Sequence, residues 1–162
     1  MGVEGEFIGS PRLDDLQCAY GTLMGFLASE KGKEDRAAAG EYGAVYALFD
    51  NEEIGSGTKQ GADSTFLSDI IDCICDACGR NGMQKRDILS ESFLLSADNA
   101  HGVHPNHPEK SDPTNRPYLN GGIVLKFQGS QKYTTDAYSA AVIRDICREQ
   151  DIPCQNFANR AD

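Results

Sequence analysis

Three short, largely apolar runs constrain this chain more than any other feature: Ala44–Phe49 (AVYALF), Phe93–Ala97 (FLLSA) and Gly122–Phe127 (GIVLKF). Runs of this length are expected of strands covered on both faces. The stretches between them carry apolar residues at helical spacing. Leu13, Leu16, Tyr20, Leu23 and Leu27 recur every three or four positions after Ser10-Pro11, a cap followed by a first-turn proline. This predicts a helix ending near Gly32. Leu67, Ile70, Ile71, Ile74 and Cys78 predict a second helix within 63–78. Ala140, Ile143, Ile146 and Cys147 predict a third after Thr135, stopped by Pro153, with Gln155-Asn156-Phe157 opening another strand. Strands alternating with helices predict an α/β domain, a three-layer α/β/α sandwich around a mixed, largely parallel sheet.

The connections fit that plan. Residues 30–41 (EKGKEDRAAAGE) form a charged surface loop, and a glycine-containing junction at 79–87 ends the second helix. Four prolines between His101 and Pro117 predict a long ordered loop. No internal repeat or low-complexity tract is visible. A length of 162 residues suits one domain and suffices to bury a core without staples.

Charge narrows the partners. Asp and Glu number 25 against 15 Lys and Arg, a net charge of -10. A binder of the phosphate backbone needs a positive footprint, so nucleic acid is not an expected partner. The same surplus offers carboxylates that cations can neutralise. No apolar run approaches the ~18 residues of a membrane span, and MGVEGEFIGS lacks the basic and apolar regions of a signal peptide. Gly2 invites myristoylation, but Glu6 stands where that motif needs Ser or Thr. The expectation is a cytoplasmic protein with no membrane partner.

Cysteine is a weaker signal. Cys73-x-Cys75-x-x-Cys78 has the short spacing at which thiolates hold zinc, yet no second pair lies nearby to complete four ligands. Helical spacing instead makes Cys75 and Cys78 small buried hydrophobes. Cys18, Cys147 and Cys154 are scattered, unlike a secreted disulfide framework.

Chemistry is expected where runs of apolar residues end on acids, since ligands of α/β sheets collect beyond the strand ends. Ala44–Phe49 ends at Asp50-Asn51-Glu52-Glu53-Ile54-Gly55-Ser56. Adjacent glutamates beside a core are costly unless something positive meets them. Neighbouring side chains diverge on extended backbone, so one carboxylate can hold a metal while the other acts as a general base on bound water. A solvated acidic turn is the simpler explanation on spacing alone. Phe93–Ala97 ends at Asp98, followed by His101, His104 and His107, the only histidines of the chain. Pro105 and Pro108 prevent the helix that would align those three. Asp14, near the start of the first helix, is explained by the helix dipole when taken by itself.

Together, these segments closely resemble the aspartyl aminopeptidase family of metallopeptidases. The resemblance is carried by Pro11-Arg12-Leu13-Asp14, by Asp50–Ser56, by Ser96-Ala97-Asp98 through His101-x-x-His104-Pro105-Asn106, by Asn120-Gly121-Gly122-Ile123-Val124-Leu125-Lys126, and by Tyr133. It implies a two-zinc exopeptidase fold. Asp14 matches the carboxylate bridging both metals, Glu53 and Asp98 match ligands of one metal each, and Glu52 matches the general base. His101 matches a histidine near the metal centre, while His104, Lys126 and Tyr133 match the substrate end. There Lys126 would pair with an acidic side chain at the peptide N-terminus.

The resemblance further implies Zn²⁺, two per complete site, with Co²⁺ or Mn²⁺ as alternatives. The substrate would be a peptide with N-terminal Asp or Glu, and the full-length protein would form a homo-oligomer. The family's two histidine ligands fall outside the resembled region. The chain therefore reads as the central portion, 1–162, of a catalytic domain, without the family's N-terminal segment, inserted β-rich domain and C-terminal segment. Weak or no activity is expected of it alone. Two other readings stay open: a non-catalytic interaction module of the same fold, and a related two-metal aminopeptidase of different preference. The His104–Lys126–Tyr133 set argues against the latter.

Overall fold

The computed structural model describes residues 1–30 and 43–159. The charged loop expected over 30–41 lies almost wholly outside the described residues. The chain divides into two compact units, 1–98 and 99–162.

The first unit is helical. Helix α1 spans Leu13–Glu30, but Asp14 and Asp15 depart from helical geometry (Asp14 φ -84°, ψ 113°), so the regular helix begins after the acidic pair. The expected apolar stripe does not face inward. Leu16 is 61% and Tyr20 67% exposed. Cys18, Ala19, Thr22 and Phe26 make the packed face instead. The reason is Tyr46, whose hydroxyl donates to the carbonyl of Ala19 at 2.8 Å and whose ring lies 5.9 Å from that of Phe26.

Helix α2 spans Phe66–Ala77, close to the expected range. Cys75 is buried, whereas Cys73 and Cys78 are exposed, which corrects the expectation that Cys78 joins the core. Helix α3, Gly82–Ser90, was not foreseen. The junction read as a breaker supplies its start, because the Asn81 side chain accepts from the amides of Met83 and Gln84 while Gln84 accepts from the amide of Asn81.

Two expected strands are corrected. Residues 44–49 and 93–97 have no ladder partner among the described residues. A strand needs a neighbour to satisfy its amides and carbonyls, and an apolar run alone does not provide one. Their side chains remain largely open, with Leu94 79% exposed.

The second unit holds the sheet. Strands β1 (Ile123–Gln128) and β2 (Cys154–Asn159) pair in parallel, with Ile123 opposite Cys154 and Gln128 opposite Asn159. Helix α4 (Ala137–Glu149) connects them, started by a capping box between Asp136 and Ser139. Ala140, Cys147, Leu125, Phe157 and Pro117 are buried in this unit. Gly122 turns the chain into β1 at φ +94°, where a Cβ would fall 2.1 Å from the carbonyl oxygen of Pro153. The expected proline-rich loop contains one 3₁₀ turn, Pro108–Lys110, and is otherwise irregular.

Candidate metal and substrate residues

The first unit gathers acids from three distant parts of the sequence. Ligand oxygens of Asp14, Asp15 and Asp98 lie within 4.8 Å of one another. Asp14 and Asp15 lie in the first turn of α1 but depart from helical geometry, and their carboxylates stand with that of Asp98. Asp98 follows the extended segment 93–97.

Glu52 and Glu53 arrive on a tightly tied turn. The amide of Asp50 donates to Gln60 O at 3.1 Å, the amide of Gly55 to Glu52 O at 2.9 Å, and the amide of Ser56 to Asn51 O at 3.0 Å. The Asn51 side chain donates to Thr58 Oγ1 at 2.9 Å. Gly55 takes φ +105°, a conformation that residues with a side chain rarely adopt. Both glutamates are exposed on this turn.

Electrostatics joins the two groups. Loss of hydration holds the carboxyl of Asp14 above its ordinary range, and Asp98 adds to this by charge and by a side-chain hydrogen bond, with Glu53 and Asp15 contributing further. Loss of hydration also raises Glu52, followed by the charges of Asp98, Glu53, Asp14 and Asp15. Like charges so close oppose ionisation unless a cation neutralises them. The donor set suits a divalent ion, because carboxylate oxygens from two separate segments lie within 4.8 Å of one another and zinc accepts such ligands. Asp15 was not foreseen. The available signal was its place in an acidic doublet, Asp14-Asp15, that parallels Glu52-Glu53.

The remaining candidates lie in the second unit. Lys126 Nζ donates to the carbonyl of Asn99 at 2.7 Å and stands 5.8 Å from the ring centroid of Tyr133. The Tyr133 hydroxyl accepts from Asn159 Nδ2 at 3.3 Å. His101 meets Phe157 edge-on at 5.0 Å between centroids. His104 accepts the Asn106 amide at 3.2 Å through Nδ1, and its ring lies 5.2 Å from that of His107. Lys126 and Tyr133 are thus brought together, while His104 sits with His107 in the proline-rich loop.

The first unit thus carries a carboxylate cluster suited to a cation, and the second a parallel strand pair with its connecting helix. The family model described as "Aminopeptidase I zinc metalloprotease (M18)" matches residues 1–162, and the chain belongs to that family. It is 46% identical over 162 residues to a probable M18 family aminopeptidase 2 of Clostridium acetobutylicum, covering 100% of this chain and 36% of the relative. It is 38% identical over 165 residues to aspartyl aminopeptidase 1 of Schizosaccharomyces pombe, covering 99% of this chain and 33% of the relative.

The crystal structure of yeast aminopeptidase 1 superimposes with a TM-score of 0.79 at 28% identity, covering 98% of this chain and 36% of the other. The mApe1 dodecamer of S. cerevisiae gives 0.77 at 27% identity, covering 98% of this chain and 36% of the other. The chain therefore spans about a third of the length of the relatives it matches. Among the described residues no helix is long and apolar enough to cross a membrane.

Proposed function

We propose that this chain carries the acid half of a co-catalytic two-zinc aminopeptidase site that removes N-terminal Asp or Glu from peptides. The observation that supports this best is the convergence of Asp14 and Asp98, with Glu53 close enough to act on Asp14 and with Glu52 close enough to feel the charges of Asp98 and Asp14. Asp14 would bridge two metals, and Glu53 and Asp98 would each hold one; Co²⁺ or Mn²⁺ could replace Zn²⁺. Bound metal would polarise the scissile carbonyl and acidify a water. Glu52 is the acid left to take the proton from that water and pass it to the leaving amine. Its raised proton affinity suits a group that must accept a proton.

Lys126 provides the charge for the acidic side chain, with Tyr133 packed beside it. The name of the S. pombe relative supports that preference. His101 and His104 would stand at the metal and substrate ends, respectively. The catalytic domain would be a three-layer sandwich larger than this chain, and the cytoplasmic location expected from the sequence belongs to the same reading. The dodecameric structural relative supports a homo-oligomer. Hydrolysis of Glu- and Leu-p-nitroanilide with added Zn²⁺ tests this function. Turnover by this chain alone should be weak or absent; any that appears should favour the Glu substrate and depend on Glu52, and turnover indifferent to Glu52→Gln would refute the reading.

A second reading, a non-catalytic interaction module, is favoured by the outward apolar residues Leu16, Tyr20, Leu94 and Leu95. It predicts comigration with a full-length family member in size-exclusion chromatography and no turnover under any metal.

A further inference from the structure

We propose that Asn159 is a positioning residue for the acidic-substrate pocket, acting through the hydroxyl of Tyr133 to aim Lys126; this rests on the function proposed above. Parallel pairing sets the frame. Lys126 lies opposite Phe157 and Gln128 opposite Asn159. Because side chains alternate along a strand, Lys126, Gln128, Phe157 and Asn159 share one face. The other face belongs to α4, since Arg144 bonds Asn156 Oδ1 at 2.9 Å and stands 5.7 Å from the ring of Phe127.

Tyr133 reaches the first face from the loop after β1. That loop reverses at once: Gln131 takes φ +56° and its amide donates to Gln128 O at 3.0 Å. The tyrosine then spans both strands, with the Lys126 ammonium near its ring from β1 and the Asn159 amide at its hydroxyl from β2. The ammonium is held from another side by Asn99 O. Asn159 therefore fixes the ring against which the cation lies.

Direction matters as much as position. The Asn159 amide donates, so the phenolic oxygen is the acceptor and its own proton is unused by this bond. That proton can be given to the carboxylate of an incoming Asp or Glu side chain, beside the Lys126 charge. An aspartate at 159 would reverse the arrangement, accepting the phenolic proton and placing a negative charge where an acidic side chain must enter. Asn159 was not among the candidates read from the sequence.

The test compares wild type, Asn159→Ala, Asn159→Asp and Tyr133→Phe as Zn²⁺-loaded protein. One arm measures kcat and KM on Glu- and Leu-p-nitroanilide. The other measures calorimetric binding of L-glutamate and L-leucine. Asn159→Ala should lower the Glu-over-Leu ratio about 3- to 10-fold through KM, the scale of one net hydrogen bond. Asn159→Asp should lower it further. Tyr133→Phe, which also removes the proton offered to the substrate, should lower the ratio at least as far as Asn159→Ala, and adding Asn159→Ala to it should change little. If Asn159→Ala does not fold, Tyr133→Phe and Asn159→Asp carry the comparison. An unchanged ratio in folded variants overturns the inference while leaving the peptidase reading intact. If neither substrate is hydrolysed by this chain alone, the binding arm decides the role of Asn159. Wild type without preference for L-glutamate, or a preference that survives the variants, overturns it.

Discussion

Carboxylate oxygens of Asp14 and Asp98 lie within 4.8 Å of each other although the two residues stand near opposite ends of the first unit's sequence. Loss of hydration and the charge of Asp98 both raise the Asp14 carboxyl. A divalent cation bound between the two acids would replace that repulsion with the attraction of both charges. The two acids are therefore arranged for an occupant more positive than solvent.

Removing one of these acids should have opposite effects with and without metal. In chelator, Asp98→Asn relieves repulsion at Asp14 and should leave the melting temperature unchanged or slightly higher. With Zn²⁺ present, binding should weaken by more than the roughly 10- to 100-fold typical of losing a supporting partner of a metal ligand. Calorimetric Zn²⁺ titration and thermal melts of both forms measure this. Weaker stability in chelator together with unchanged Zn²⁺ affinity would rule out the arrangement.

The neighbouring glutamates should separate by role. Glu52→Gln should reduce kcat by about 10²–10⁴-fold, the usual contribution of a positioned general base, with little change in Zn²⁺ affinity. Glu53→Gln should weaken Zn²⁺ binding as well as turnover. Parallel titrations and assays of the two variants distinguish them; identical behaviour would mean that the doublet acts only as a charge.

What could be read from the sequence follows from what each signal requires. Helix α2 and strands β1 and β2 appeared near their expected positions because their partners are close in the chain: α4 lies between the two strands and covers one face. Residues 44–49 and 93–97 carry an equally strong apolar signal, yet pairing is a property of two segments, and neither has a ladder among the described residues. The stripe of α1 failed for a related reason. Periodicity located the leucines correctly, but Tyr46 selected the face bearing Ala19 and Phe26. At the acidic cluster, motif resemblance pointed to Asp14, Glu53 and Asp98. It passed over Asp15 because an adjacent acid has no spacing of its own. Asn159 was invisible because its relevance comes from strand register and a returning loop.

Helix α3 offers a stability test separate from chemistry. The Asn81 side chain accepts from two amides, and its own backbone amide donates to Gln84 Oε1. Asn81→Ala should destabilise the protein by about 1 kcal/mol, while Asn81→Asp or Asn81→Gly should cost only a few tenths. Urea denaturation compares the three. Equal losses for Ala and Asp would mean that the cap contributes nothing.

The proline-rich loop has its own acid-dependent fastening. One oxygen of Asp112 accepts from the amide and hydroxyl of Thr114 and from the amide and side chain of Asn115, at 2.8–3.1 Å. These bonds, led by the Thr114 hydroxyl, lower the Asp112 carboxyl from 3.8 to about 2. Its folded value lies below its unfolded one, so its stabilising effect is present above pH 3.8 and is lost as pH falls through about 2. The side chain is accessible, which limits the effect on global stability. The local readout is sharper. Amide exchange at Thr114 and Asn115 should be slow near neutral pH, once corrected for intrinsic rates, and should lose protection as the pH approaches 2. In Asp112→Asn the change across this interval should flatten, because the amide oxygen can accept bonds without titrating. Protection in wild type that does not change between pH 4 and about 2 would contradict the assignment of these four bonds to the ionised carboxylate.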